Sequence, residues 1–151
     1  MATTDEERRD YLYRKVGEAL HLAQTLELQV ATLISIVNEH FDADIDVEGL
    51  IVPDHRKTLG QLLQQLRSHG RIDGNGEQIL NEALKKRNHI THDFFNRNIY
   101  AFSVPEVFDQ TKLALEADTR TIAMGVAVTQ GWVLGFCEAL KIDKQKKWVC
   151  T

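Results

Sequence analysis

The chain has 151 residues, 43% apolar and 26% charged, with two prolines and a formal net charge of −4. That is the size and make-up of one globular domain, not of a fibrous or low-complexity chain. The acidic balance excludes a protein that coats nucleic acid over its whole surface. The opening, Met1 to Glu7, is acidic and lacks an apolar centre, so it does not read as a secretory signal. No apolar run approaches the roughly 18 residues that a membrane span needs. Cys137 and Cys150 form neither a disulfide framework nor a metal-binding CxxC pair, and they read as reduced thiols of a cytosolic protein.

Helix starts punctuate the chain. Thr4 followed by Glu7 fits a capping box, and it opens a helix predicted over about 5–39. Leu12, Val16, Ala19, Ala23, Leu26, Val30, Leu33 and Val37 follow at alternating spacings of four and three, an unbroken heptad seam that Leu20 and Ile34 widen. Residues 40–57 read as loop, rich in Asp, with Gly49 and Pro53. Thr58 with Gln61 opens a second helix to about 69, buried through Leu59, Leu62, Leu63 and Leu66. After an Asp73-Gly74 turn, Asn75 offers a cap for a third helix over about 76–97, burying Ile79, Leu80, Ala83, Leu84, Ile90 and Phe94. Ser103 with Glu106 fits a capping box for a fourth helix over about 104–140, with Pro105 in its first turn. Its seam is Leu115, Ile122, Val126, Thr129, Val133, Phe136 and Leu140. Gly125, Gly131 and Gly135 interrupt that helix at about 1 kcal/mol each relative to alanine, which predicts close approach of a neighbouring helix there, within the chain or across a dimer. Residues 141–151 form a basic, frayed tail. No strand pattern or internal repeat is present. The chain is therefore predicted to be a single all-α domain over 1–151, an up-and-down bundle of four main helices that pairs as a homodimer.

Charge is unevenly placed. Residues 55–97 hold eight Lys or Arg, four Asp or Glu and four of the six histidines, which makes them +4 and the remainder −8. Within them Lys85, Lys86, Arg87, Asn88, His89, His92 and Asp93 crowd together ahead of Phe94 and Phe95. On an ideal helix Asn88 and His92, four apart, share a face. The long Arg87 side chain reaches the same groove, and His89 lies three before His92. These groups suit phosphodiester chemistry on RNA. An imidazole titrates near neutrality and exchanges a proton with a 2′-OH or a leaving oxygen. A guanidinium grips phosphate with a fixed fork. An asparagine fixes the imidazole tautomer or donates to the phosphate. Transesterification needs both a base and an acid, so one His92 per chain calls for two copies. Lys85, Lys86, His89 and Arg97 are the flanking candidates for RNA contact, and His55, Arg56 and Lys57 extend a basic rim. No second ligand cluster such as HExxH accompanies His89, His92 and Asp93, so no metal is assigned. Gly74-Asn75-Gly76 is a turn and not a phosphate loop, and no cofactor is expected.

Arg87-Asn88-His89-Ile90-Thr91-His92, late in an all-α chain and followed by Phe94-Phe95, resembles the Arg-x(4–6)-His motif of the HEPN superfamily. The resemblance implies a small helical bundle acting as a dimer, with both motifs lining one cleft. Many members are metal-independent endoribonucleases of toxin–antitoxin and phage-defence systems. Carried over, Arg87 binds phosphate, Asn88 positions the site, and His92 serves acid–base catalysis, with an antitoxin or regulatory protein as a further partner. In the subgroup controlled by nucleotidyltransferase antitoxins a modified tyrosine stands two residues after the histidine. Here Phe94 holds that place and has no hydroxyl to modify. Other members are non-catalytic, and a dimeric interaction module that binds a protein partner or RNA fits the same residues.

Overall fold

The computed structural model describes residues 3–50, 55–70 and 72–141. Pro53, Arg71, Cys150 and the remainder of the basic tail lie outside them. The described chain is an all-α bundle. Its main helices are α1 (Asp5–His40), α2 (Arg56–His69), α3 (Gly74–Asn88) and α5 (Pro105–Ala139). A π-helical turn (His89–Asp93) and the short α4 (Phe94–Arg97) continue α3, and single 3-10 turns occupy Val47–Leu50 and Ile99–Phe102.

α1 starts where its capping box forms. The Thr4 hydroxyl accepts the Glu7 N–H at 3.1 Å, and the Glu7 carboxylate accepts the Thr4 N–H at 2.7 Å. All eight seam residues are 2% exposed or less. The other starts differ from the sequence reading. α2 begins two residues earlier, at Arg56, with His55 as its cap residue and Thr58 buried inside the first turn. His55 is drawn inward toward Asn88, and that sets the entry of the chain. Asp73, not Asn75, caps α3. Its carboxylate accepts the N–H groups of Asn75 and Gly76, and a full negative charge at a helix N-terminus outdoes a neutral amide. Ser103 makes no cap for α5, because its N–H is turned toward the Tyr100 carbonyl in the preceding 3-10 turn; Val104 is the cap residue and Pro105 enters the first turn as expected.

Side-chain pairings fix the helix directions. Tyr11 meets Glu116 and Gln29 meets Thr129, so α1 and α5 run parallel. Lys86 meets Asp118 while Gly76 lies against Trp132, so α3 runs antiparallel to α5. Simple up-and-down alternation is thus broken once. The segment after α1 carries the chain back along the bundle before α2 sets out. Asn38 pins its beginning by bonding both the N–H and the carbonyl of Ile45, each at 2.9 Å. Ile45 and Leu50 are buried, and Leu50 comes to rest beside Arg87.

The three glycines of α5 have different surroundings. A Cβ on Gly125 would overlap the Ala83 methyl, so α3 and α5 approach there as expected. At Gly131 and Gly135 an added methyl would meet nothing within 4 Å, and no neighbouring helix fills that space among the described residues. Gly125→Ala is therefore expected to destabilise the fold by about 1–3 kcal/mol through overpacking. Gly131→Ala should stabilise it by about 0.4–1 kcal/mol, because only unfolded-chain entropy changes. Urea denaturation of the two variants would read opposite signs.

Tyr11 ties α1 to α5 through a 2.6 Å bond from its hydroxyl to Glu116. Burial, then that hydrogen bond and the Glu116 charge, push the phenol from 10.0 up to about 12. The same bond leads in holding the Glu116 carboxyl below its usual range. A phenol raised in the folded state lends stability in full below pH 10.0, and the contribution is lost as pH rises through about 12. Alkaline titration followed by tyrosinate absorbance should show one late step, absent in Tyr11→Phe.

Two expectations need correction. α1 and α5 each contain an 18-residue stretch long and apolar enough to cross a membrane, although runs without polar residues are short. In the bundle these helices bury their apolar stripes against each other and against α3. Cys137 is not a reduced thiol: it is disulfide-bonded.

Candidate functional site

The segment that carries the motif is not one continuous α-helix. After Asn88 the chain widens into the π turn His89–Asp93 before α4 resumes. The Thr91 hydroxyl bonds the Arg87 carbonyl at 2.8 Å, competing for the acceptor that an α turn would give to the Thr91 N–H. In a π turn residue i+5 closes the hydrogen-bonded ring on residue i, so the four-residue alignment of Asn88 with His92 expected from an ideal helix does not hold here. Single π turns of this kind are frequent at functional sites.

Arg87 turns inward. Its side chain is 2% exposed; Nη1 donates to Glu27 Oε1 at 2.8 Å, and Nη2 donates to the Leu50 carbonyl at 3.0 Å. Its Nε is buried without a hydrogen-bond partner among the described residues. Both terminal nitrogens of the guanidinium are engaged by the protein itself and the side chain is buried, so this fork is not presented to a phosphate from solvent. Asn88 also faces the interior side: its Nδ2 lies 3.0 Å from Nδ1 of His55, which is 4% exposed. His55 therefore belongs to the core and not to a basic rim, while Arg56 and Lys57 lie exposed in the first turn of α2. Arg87 and Asn88 together fasten α1, the Val47–Leu50 turn and the start of α2 onto the end of α3.

His92 takes the opposite position. It is exposed, and among the described residues no hydrogen bond or ion pair engages its imidazole. His89 is half-buried, edge-on to Phe94 at 6.4 Å. Thus the structure brings Arg87 and Asn88 to a buried polar cluster with Glu27, Leu50 and His55, and presents His92 separately to solvent. Phe94 is core and Phe95 is 44% exposed.

The basic character of residues 55–97 is offset in space. Lys85 pairs with Glu82 at 2.9 Å, Lys86 with Asp118 of α5 at 3.3 Å, and Arg97 with Asp93 at 3.7 Å. The Lys85 and Arg97 pairs are at the surface, worth about 0–1 kcal/mol each, and an arriving polyanion can displace their acids, whereas Asp118 is largely shielded and only its Lys86 partner reaches solvent. The Arg87–Glu27 pair is not of that kind. Among the described residues no group of three His, Cys, Asp or Glu gathers to hold a metal ion.

Glu27 is the member of this cluster that sequence reasoning missed, and His55 is the one it assigned to a basic rim instead. Glu27 left a signal: it is the only charged residue between Glu18 and Glu39, in the middle of the apolar length of α1. A lone carboxylate there asks for a buried cation. His55, in a loop beside two basic residues, gave no comparable sign.

No family model, curated protein or solved structure matches this chain.

Proposed function

We propose that the chain is a HEPN-like homodimeric endoribonuclease in which His92 meets RNA, while Arg87 and Asn88 act as positioning residues. The observation that carries this is the exposed, unengaged His92 on a π turn whose base is anchored by the ion pair of the buried Arg87 with Glu27. In the reaction, His92 of one subunit removes the proton of a ribose 2′-OH. The 2′-oxygen attacks phosphorus, the bond from phosphorus to the 5′-oxygen breaks, and His92 of the partner subunit delivers a proton to that oxygen. The products are a 2′,3′-cyclic phosphate and a free 5′-OH, and the chemistry calls for no metal. Lys85 and Arg97 exchange their surface acids for phosphates as RNA arrives, and Lys86 and His89 line the rim. A cytoplasmic toxin or phage-defence effector held by a regulatory protein is the setting that the HEPN resemblance suggests.

A second reading is a non-catalytic module of the same fold. It is favoured by the pairing of Lys85, Lys86 and Arg97 with acids and by the exposure of Ile99 and Tyr100 next to α4. One experiment separates them. Purified protein is incubated with single-stranded RNA in EDTA and the new chain ends are analysed. Cyclic phosphate ends support the enzyme; intact RNA beside a stable dimer in light scattering leaves the module.

A further inference from the structure

We propose a nucleotide subsite on the face where α1 passes the start of α5 and the end of α4, taking one unpaired nucleotide of single-stranded RNA with its base on Tyr13 and its phosphate at Arg14 and Lys112. It rests on the ribonuclease reading for the identity of its ligand.

Three aromatic rings from separate elements converge there. Tyr13 of α1 lies 6.1 Å from Phe95 and 5.6 Å from Phe102 between ring centroids, and Phe95 stacks on Phe102 at 6.1 Å with 26° between planes. Tyr13 remains 54% exposed and Phe95 44% exposed. Phe95 is three residues beyond His92, so the ring cluster adjoins the proposed reacting group. On its other side Tyr13 borders a groove of about 650 Å³ that Tyr11, Arg14 and Lys112 also line. That is within the roughly 300–1,000 Å³ of small-ligand sites. The Arg14 guanidinium sits over the Tyr11 ring at 5.7 Å and the Lys112 ammonium at 5.0 Å. Neither makes an ion pair among the described residues, in contrast to Lys85, Lys86 and Arg97. Two carboxylates, Glu7 and Asp10, also line the groove, Glu7 engaged by the Thr4 N–H, and the Lys112 charge helps to hold the Glu116 carboxyl below its usual range. Two cations held over an aromatic ring and outside any direct ion pair among the described residues, beside an exposed ring cluster, suit a ligand that joins a flat ring to an anion within one unit. A nucleotide has that form. Stacking is tolerant of base identity, so the subsite would hold RNA near His92 without reading its sequence.

The test uses full-length protein carrying His92→Ala and a 2′-O-methyl oligonucleotide that cannot be cleaved, with affinity read by fluorescence anisotropy. Tyr13→Ser should weaken binding roughly tenfold or more while leaving binding of an abasic oligonucleotide unchanged. Arg14→Gln with Lys112→Gln should weaken both oligonucleotides and flatten the salt dependence. Unchanged affinity in a folded Tyr13→Ser protein would overturn the subsite. So would a fall from dimer to monomer mass in Tyr13→Ser, which would make the ring cluster a contact between copies. If oligonucleotide binding responds to Tyr13 while wild-type protein leaves RNA intact, the subsite stands and the nuclease reading falls.

Discussion

Glu27→Gln is expected to destabilise the protein by about 3 kcal/mol, although Glu27 belongs to none of the proposed reacting groups. The substitution removes the carboxylate that neutralises Arg87 and leaves a guanidinium 2% exposed with a neutral amide for company. Breaking a buried ion pair from one side costs about 3–5 kcal/mol, since the remaining charge stays desolvated. Glu27 is itself 40% exposed, so water softens the loss and the lower end applies. At about 2–4 °C per kcal/mol for a chain of this length, Tm should fall by roughly 6–12 °C. The double variant Glu27→Leu with Arg87→Met should recover much of the loss, because it removes both charges and fills the space with apolar atoms. Thermal unfolding of the three proteins checks this. A Glu27→Gln protein within about 1 kcal/mol of wild type would mean that Arg87 is free to leave its pocket, and the phosphate-gripping role implied by the family resemblance would return.

This outcome bears on what the amino-acid pattern makes legible. The α1 seam was readable because a heptad repeat of apolar side chains has one economical fate, burial of that stripe, and each of its eight residues is buried. The α3 and α5 seams follow the same logic less completely, since Ile79, Val126 and Leu140 are only partly buried. Local signals with near competitors were less secure. Thr58, Asn75 and Ser103 all had the chemistry of a cap, but the start of each helix was decided by something beyond the local pattern: the inward pull on His55, the charge of Asp73, and the 3-10 turn that holds Ser103. The direction of α2 was set by a crossing segment whose register depends on a local clasp of Asn38 on Ile45 and a long-range contact of Arg87 with Leu50. The motif residues show the limit most sharply. Spacing puts Arg87 and His92 within reach of one groove, but spacing does not say which way a long side chain turns. That is decided 60 residues away along the chain, by Glu27.

His92→Ala should leave stability within about 0.5 kcal/mol of wild type, because the side chain is exposed and unengaged among the described residues. Its effect on RNA cleavage should be large. Removing a general acid or base costs about 10²–10⁴ in rate, and here one substitution removes both from a symmetric dimer. Arg87→Lys provides the contrast. Lysine keeps the charge but has no fork, so it cannot hold Glu27 and the Leu50 carbonyl together, and cleavage and Tm should fall in step. The two-copy mechanism has its own signature in mixtures. When wild type and His92→Ala exchange subunits freely at equal concentration, only about a quarter of the dimers keep two imidazoles. Cleavage should then drop to about one quarter of the rate of undiluted wild type at the same total concentration. A rate near one half would mean that each subunit works alone; a single His92 would then need a second proton carrier, and the half-buried His89 of the same chain is the nearest imidazole in sequence.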